Sequence, residues 1–384
     1  MGTFSEANNT NLLSGGAGNN TIQGSTGQDW VDYSGKSGDY RIDRINGDWI
    51  VNDTNLSDGD DGRDVLRNVK GVRFANGQLE FGTQTESEFL VNSYTAGNQG
   101  DSSITGLKNG GFVLTWTSSA QDGRAGSVYG QLYNAQGQKQ GLEFRVNAHT
   151  DGSQVASTTV ALADGGFAVS WMVFNEYFRG WEIYAQRYNA RGQAQGEEFR
   201  VNTNTTSDQM YPNMSALSDG GFVVTWGTLH EGNSREIHAQ RYNAQGQTQG
   251  AEFRIDNGAF TDHYGGSITS LADGGFVVAW LDWGDYGGTP NSSFAQRYNA
   301  QGQTQGSVVS IVDRTQANWL YEPQITGLVN GGFLATWVWQ SREGLQGGIK
   351  AQIYNDQGQA QGYGFSVATN LNAVQSSPCI AALQ

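Results

Sequence analysis

Ser218-Asp219-Gly220-Gly221-Phe222-Val223-Val224-Thr225-Trp226 is the stretch that decides the fold of this chain. Asp-Gly supplies the positive φ of a tight hairpin turn. Beyond the turn, Phe222, Val224 and Trp226 point one way and Val223 and Thr225 the other, the period of a strand with both faces half apolar. Met214-Ser215-Ala216-Leu217 before the turn forms the partner strand, Ile237 to Tyr242 a third, and Glu252 to Asp256 a fourth, reached through an Asn-Ala-Gln-Gly turn. The cassette returns five times. Its tryptophans are Trp116, Trp171, Trp226, Trp280 and Trp337, spaced by 55, 55, 54 and 57 residues, and a period that regular marks a repeat architecture.

A four-stranded unit of this length cannot cover both of its faces by itself. The sequence therefore predicts an all-β fold in which each sheet lies between its neighbours, a β-propeller of five repeats near 101–149, 154–206, 209–260, 263–315 and 321–371. Both ends of the array carry partial units. Glu88 to Asn92 matches a fourth strand and Gln375 to Leu383 a first strand. These fragments could close a composite sixth blade, with the Tyr40–Asp43 and Asp48–Val51 hairpin supplying its middle strands. A five-bladed ring with ragged ends, a truncated longer array and strand exchange between molecules are the alternatives.

Composition narrows the partners. With 55 glycines, four prolines and a net charge of -15 in 384 residues, the chain offers no basic patch for nucleic acid. No apolar run is long enough to span a membrane, and the start lacks a secretory-signal pattern. The single Cys379 can form no internal disulfide and is expected to be buried in the last strand.

The first 84 residues differ in kind. Gly15-Gly16-Ala17-Gly18-Asn19-Asn20-Thr21-Ile22-Gln23 is a Gly-rich nonapeptide, and Gly24-Ser25-Thr26-Gly27-Gln28-Asp29-Trp30-Val31 opens a second one directly after it. The glycines permit a tight turn with inward carbonyls, the carboxylate completes an oxygen cage of the kind that selects calcium, and the apolar residue packs the interior of a parallel β-roll.

On these motifs residues 11–82 resemble the RTX family, secreted bacterial proteins with haemolysin-type calcium-binding repeats. Asp39 to Ile42, Trp49 to Asp53, Gly62 to Val69 and Arg73 to Gly77 look like the segment that follows such repeats. The organisation expected is a nonapeptide segment at 1–33, an associated β segment at 34–84 and the repeat array at 85–384. The resemblance implies Ca2+, type I export and an extracellular, cell-surface setting. Asn20 replaces the family's Asp and Ser25 its Gly, so one modest calcium site is expected around Gly24, Thr26 and Asp29 with Asn20, a metal-free turn being the alternative. Asp58, Asp60 and Asp64 form a second acidic knot. It lacks the Glu of an EF-hand, and a solvated turn is its alternative.

Catalytic motifs are absent. The four histidines, His149, His230, His238 and His263, show no metal spacing, and no nucleophile elbow or phosphate loop occurs. Glu176, Glu182, Glu231, Glu236, Asp282 and Asp285 fall between the second and third strands of their units, where an acid/base pair is conceivable. The same loops carry Phe174, Tyr177 and Trp181, then Trp283 and Tyr286, then Trp339, aromatics suited to sugar faces or protein contacts or simply to packing. The expected function is a secreted, non-enzymatic, lectin-like module binding glycan or a cell surface. A self-assembling surface-layer component is the second reading, and a glycosidase- or sialidase-like enzyme the least favoured.

Overall fold

The computed structural model describes residues 3–4, 12–14, 16–24, 29–36, 39–45, 48–55, 61–80, 89–123, 126–175, 180–231, 234–255, 263–282, 292–312, 319–320, 323–340, 347–367, 375 and 378–381. Among them the chain is all-β, arranged as seven small sheets. No helix long and apolar enough to cross a membrane occurs among the described residues. The chain divides into two compact units, Met1–Val91 and Asn92–Gln384.

The N-terminal unit holds β1 (Thr3–Phe4), β2 (Leu12–Leu13), β3 (Thr21–Gln23), β4 (Trp30–Asp32), β5 (Tyr40–Ile45), β6 (Asp48–Asp53), β7 (Arg63–Arg67), β8 (Gly71–Phe74) and β9 (Gly77–Glu80). The first four strands start nine residues apart, at Thr3, Leu12, Thr21 and Trp30. They alternate between two sheets, ordered β1-β3-β7-β6-β5 and β2-β4-β8-β9. β1, β3 and β7 run parallel, as do β2, β4 and β8. Ile22, Val31, Val51, Leu66 and Val72 fill the interior. The hairpin β5–β6 pairs with β7, so it belongs to this unit and supplies no strands to a sixth blade.

The C-terminal unit is five successive antiparallel sheets. The first contains β10 (Gln99–Gly106), β11 (Phe112–Ser118), β12 (Ser127–Tyr133) and β13 (Lys139–Arg145), and the second β14 (Gln154–Ala161), β15 (Phe167–Asn175), β16 (Gly180–Tyr188) and β17 (Phe199–Arg200). The third has β18 (Asp208–Ala216), β19 (Phe222–Leu229), β20 (Arg235–Tyr242) and β21 (Phe253–Arg254); the fourth has β22 (His263–Ser270), β23 (Phe276–Asp282), β24 (Ser292–Tyr298) and β25 (Thr304–Val312). The fifth adds β26 (Trp319–Leu320) and β27 (Gln324–Gly327), both against β28 (Phe333–Gln340), then β29 (Gly347–Tyr354) and β30 (Ala360–Ser366).

The turn chemistry explains why the cassette repeats. Asp219 Oδ1 accepts the N–H of Gly221 at 2.9 Å, and Gly220 sits at φ 86°, where glycine carries no steric cost. Gly221 is required for another reason, since a Cβ there would lie 2.2 Å from the Tyr242 carbonyl oxygen. Downstream, Asn243 Oδ1 accepts the N–H groups of Gln245 and Gln247, an Asx turn repeated at Asn134, Asn189, Asn299 and Asn355.

The core lies between sheets. Leu162 and Met172 of the second sheet pack with Phe222 and Trp226 of the third, and Val223 and Ile237 of the third with Phe276 and Trp280 of the fourth. Trp171 and Trp226 are fully buried, Trp280 is 1 % exposed, and Trp116 and Trp337 are 4 % and 5 % exposed. Each sheet needs its neighbours because both faces are apolar.

The two ends of the array differ from its middle. Gly192, Gly246, Gly302 and Gly358 each pack on side chains of the preceding sheet, whereas a Cβ on Gly137 of the first sheet would meet nothing within 4 Å. On the fifth sheet Ile353 is 37 % exposed, while Arg187, Arg241 and Arg297 at the equivalent register are buried. Phe89 to Asn92 and Pro378 to Ala381 lie outside any strand. Cys379 is exposed rather than buried, because no sheet forms there to cover it.

The first strands β10, β14, β18, β22 and the start of β27 line one cavity of about 250 Å³. Four backbone irregularities lie side by side at this cavity. β10, β14, β18 and β22 each carry a register shift at their pairing with the next strand, between Gly100 and Ser103, Val155 and Thr158, Met210 and Asn213, and Gly265 and Ser267.

Candidate functional site

An open cleft of about 250 Å³ lies where the second and third sheets meet. Three segments build it: Gly180, Trp181 and Glu182 at the start of β16, Thr205 to Asp208 leading into β18, and Leu229, His230 and Glu231 where β19 ends. The nine-residue strands β15 and β16 extend the hairpin, so that Phe174 and Trp181 face each other across it. Their rings meet edge-on with centroids 5.2 Å apart. Trp181 is half-buried, braced by Phe174 behind it and by its own N–H, which donates to Asp208 Oδ1 at 2.9 Å.

Glu182 is only 4 % exposed. Its Oε1 lies 3.4 Å from Arg200 Nη1, which comes from the short fourth strand β17. Across the cleft, His230 Nδ1 lies 3.2 Å from Ser207 Oγ and its Nε2 lies 3.1 Å from Glu236 Oε2. Glu236 also faces His238 Nε2 at 3.2 Å and pairs with Arg254, while His238 Nδ1 lies 3.0 Å from Glu252 Oε1. A continuous line of polar contacts thus runs from Ser207 through two imidazoles and two carboxylates.

The register shows that this line is specific to the third sheet. The position facing the core tryptophan is Tyr129, Tyr184, Phe294 and Lys350 in the other sheets and His238 here. Glu252 has a counterpart role in other sheets. It accepts Thr203 N–H at 2.8 Å, as Glu143 accepts Ser93 and Glu198 accepts Ala148.

Burial alone would lower the His238 pKa, but hydrogen bonds to Glu252 and Glu236 outweigh it and hold His238 above 6.5. Burial likewise raises both glutamates, and the imidazole and hydrogen-bond partners outweigh it, holding Glu236 and Glu252 below 4.5. The His238 contribution to stability is complete below pH 6.5 and is lost as pH rises through its folded value; the glutamate contributions are complete above pH 4.5 and are lost as pH falls through theirs. Thermal unfolding should therefore show a maximum between these limits, and His238→Phe should remove the loss on the alkaline side. An unchanged pH profile in His238→Phe would show that the cluster is not coupled to folding.

The other residues named from sequence fall elsewhere. Trp339 packs on the core of the fourth and fifth sheets, with Lys350 Nζ 4.8 Å from its ring centroid. Tyr177, Trp283, Tyr286, Thr26, Asp58 and Asp60 lie outside the described residues. Asn20 donates its N–H to Asp64 Oδ1 at 2.8 Å, and Tyr33 donates its hydroxyl to Asp64 Oδ2 at 3.1 Å. Burial raises the Asp64 pKa against these bonds. Asp29 is buried beside Gly24, where a Cβ would lie 3.0 Å from Asp29 Oδ2 and 2.2 Å from the Asn68 carbonyl oxygen. The Gly24 carbonyl accepts the side-chain amides of Asn68 and Gln23. Asn20 and Asp64 thus meet at one place and Gly24 and Asp29 at another, and no group of three or more His, Cys, Asp or Glu placed to hold a metal occurs among the described residues.

No family model matches the chain, and no curated protein matches it. Among solved structures, it is similar to a protein of unknown function from Dyadobacter fermentans, at 11 % identity and a TM-score of 0.47, over 71 % of this chain and 83 % of that one. It is similar to the α-L-arabinofuranosidase of Fusarium graminearum bound to arabinobiose, at 8 % identity and a TM-score of 0.48, over 71 % and 82 % of the two chains. An ulvan lyase, a polysaccharide lyase, is similar at 10 % identity and a TM-score of 0.45, over 67 % of each chain.

These neighbours correct the expectation of a non-enzymatic, lectin-like or surface-layer protein, since two of the three are carbohydrate-active enzymes. At such identities the likeness is one of fold, and no residue role is carried over from them. The ionisable groups of the cleft come from three separate segments brought together only by packing of one sheet on the next, so no local motif announces them.

Proposed function

We propose that the five sheets are blades of a propeller around the axial cavity, and that the chain cleaves a carbohydrate in the cleft between the second and third blades. The propeller reading is supported by the five first strands, which lie in chain order around that one cavity. The enzymatic reading rests on one observation: Trp181, Glu182, His230 and Glu231 converge on a single open cleft.

An indole edge-braced by Phe174 is a platform for the apolar face of a sugar ring. Glycosidic bonds break through an oxocarbenium-like transition state flanked by two carboxyl groups, one donating a proton to the leaving oxygen and one acting on the opposite side. Three carboxyl groups line the cleft, Glu182, Asp208 and Glu231; Asp208 is engaged by the Trp181 backbone N–H, and we assign these roles to the other two. Glu182, buried with the Arg200 guanidinium at its side, takes the role on the opposite side, and exposed Glu231 that of proton donor. His230, ordered between Ser207 and Glu236, fixes the wall opposite Trp181.

The test is release of oligosaccharide from a panel of neutral and acidic polysaccharides, with chromatographic detection. Product release by the wild type, reduced at least tenfold by Trp181→Ala through weaker substrate binding, supports the reading. Cleavage indifferent to Trp181→Ala, or no cleavage of any member, rejects it.

For the N-terminal unit we propose an exported protein whose nonapeptide turn takes calcium through the buried Asp29. Unfolding of the full chain with and without millimolar calcium should show an upward shift of the N-terminal transition, abolished by Asp29→Asn. Equal transitions with and without calcium would overturn it.

A further inference from the structure

We propose that the axial cavity is a second sugar site, one that takes a single neutral monosaccharide unit and lies apart from the cleft. The cavity is formed by the bulged segments of β10, β14, β18 and β22 together with the start of β27. At the bulges Asp101, Ala156 and Tyr211 adopt φ of 49°, 54° and 56°. A non-glycine residue is strained in that region, and such strain gathers where a backbone is held for a purpose. In the fourth blade the sequence supplies Gly265 instead, at φ 89°.

Part of the strain serves the joint between blades, for the N–H of Ala156 donates to Thr117 Oγ1 at 3.1 Å. The N–H of Tyr211 likewise donates to Met172 Sδ at 3.4 Å, but the Tyr211 side chain stands apart from that joint. It is 63 % exposed, so its ring gains little from packing in return for the strained backbone that presents it. A bulge re-aims a side chain, and this one aims a tyrosine at a polar cavity.

The chemistry of the lining selects the ligand. Among the described lining residues Ser102, Ser157, Asn213, Ser267 and Gln324 contribute hydroxyl and amide groups, Tyr211 an aromatic face, and Asp101 a single carboxylate. That carboxylate accepts a hydrogen bond from Thr117 at 3.2 Å. Among the described lining residues no Lys, Arg or His offers an anion a counter-charge, and their one carboxylate is too few for a tight divalent-cation cage. Hydroxyls, amides and one aromatic suit a neutral polyhydroxylated ring. The cavity, at about 250 Å³, is below the roughly 300–1,000 Å³ of sites for drug-sized molecules, which limits the occupant to about one ring.

The site shares only its ligand class with the cleft, so the two readings fail separately. Saturation-transfer NMR and calorimetry on the full chain, with free neutral hexoses and pentoses as probes, should detect binding of at least one sugar. Tyr211→Gly removes the ring and relieves the φ, so the fold is kept, and it should weaken binding at least tenfold without lowering Tm. Trp181→Ala should leave this binding within twofold of wild type. Absence of binding by every sugar up to tens of millimolar would overturn the proposal, as would binding that survives Tyr211→Gly or is lost in Trp181→Ala.

Discussion

Replacing Trp226 with alanine is expected to cost the C-terminal unit about 3–5 kcal/mol, the range for large-to-small changes at fully buried aromatic positions. Trp226 has no exposed surface, and its Nε1 donates to Gln209 Oε1 at 2.8 Å. The indole packs with Leu162, Met172 and Ile183 of the second sheet and with Val224 of its own. Removing it opens a cavity between two sheets and leaves the buried Gln209 with only Thr228 as its remaining donor at 2.7 Å. Because each sheet is held by its neighbours, a lesion in the third of five weakens both halves of the array. Urea unfolding followed by tryptophan fluorescence measures this, and a midpoint shift equivalent to less than about 1 kcal/mol would show that the sheets do not depend on their interfaces.

The second large effect concerns chemistry. Glu182→Gln keeps the shape of a buried side chain and removes its charge, so the fold should persist while carbohydrate cleavage falls by about 10²–10⁴, the usual contribution of a positioned acid or base. Arg200 is 41 % exposed at its side chain and stays solvated after the change, which limits the stability penalty. A drop in kcat with KM unchanged is the expected pattern, since the carboxylate acts in the transition state and Trp181 provides ground-state binding. Full activity in Glu182→Gln would place the reaction elsewhere.

The sheets were legible in the sequence because their signals are local. Asp219 and Gly220 write the hairpin, Asn243 and Gly246 write the next turn, and the alternation around Trp226 writes a strand buried on both faces. In the third sheet the fourth strand, expected over Glu252 to Asp256, is Phe253–Arg254 among the described residues, and the Glu252 side chain binds His238 and Thr203. The hairpin from Tyr40 to Asp53 was legible as a hairpin but not in its place, because pairing with Arg63–Arg67 depends on a parallel neighbour, Thr21–Gln23, that no local pattern announces.

Sites were harder to read. Trp181 was found among the aromatics between the second and third strands, yet its partner Phe174 is fixed by strand register and its cleft by Ser207, Asp208 and His230 from the adjoining sheet. Glu236 and His238, two residues apart, give no motif, although the departure of His238 from the aromatic residues at Tyr129, Tyr184 and Phe294 is visible once the repeats are aligned. That irregularity within a repeat was the one sequence signal available for the line of polar contacts. The cavity among the first strands had none. Asp101, Ala156 and Tyr211 share no side-chain chemistry, and only the backbone bulges make them equivalent.

Cleavage of a polysaccharide in water enriched in ¹⁸O, followed by mass spectrometry of the products, tests the central claim most directly. Hydrolysis by carboxyl groups in the cleft predicts label at the new reducing end with the wild type and at most about a hundredth of that product with Glu182→Gln. Label-free or unsaturated products, or equal labelling by the two proteins, would contradict it.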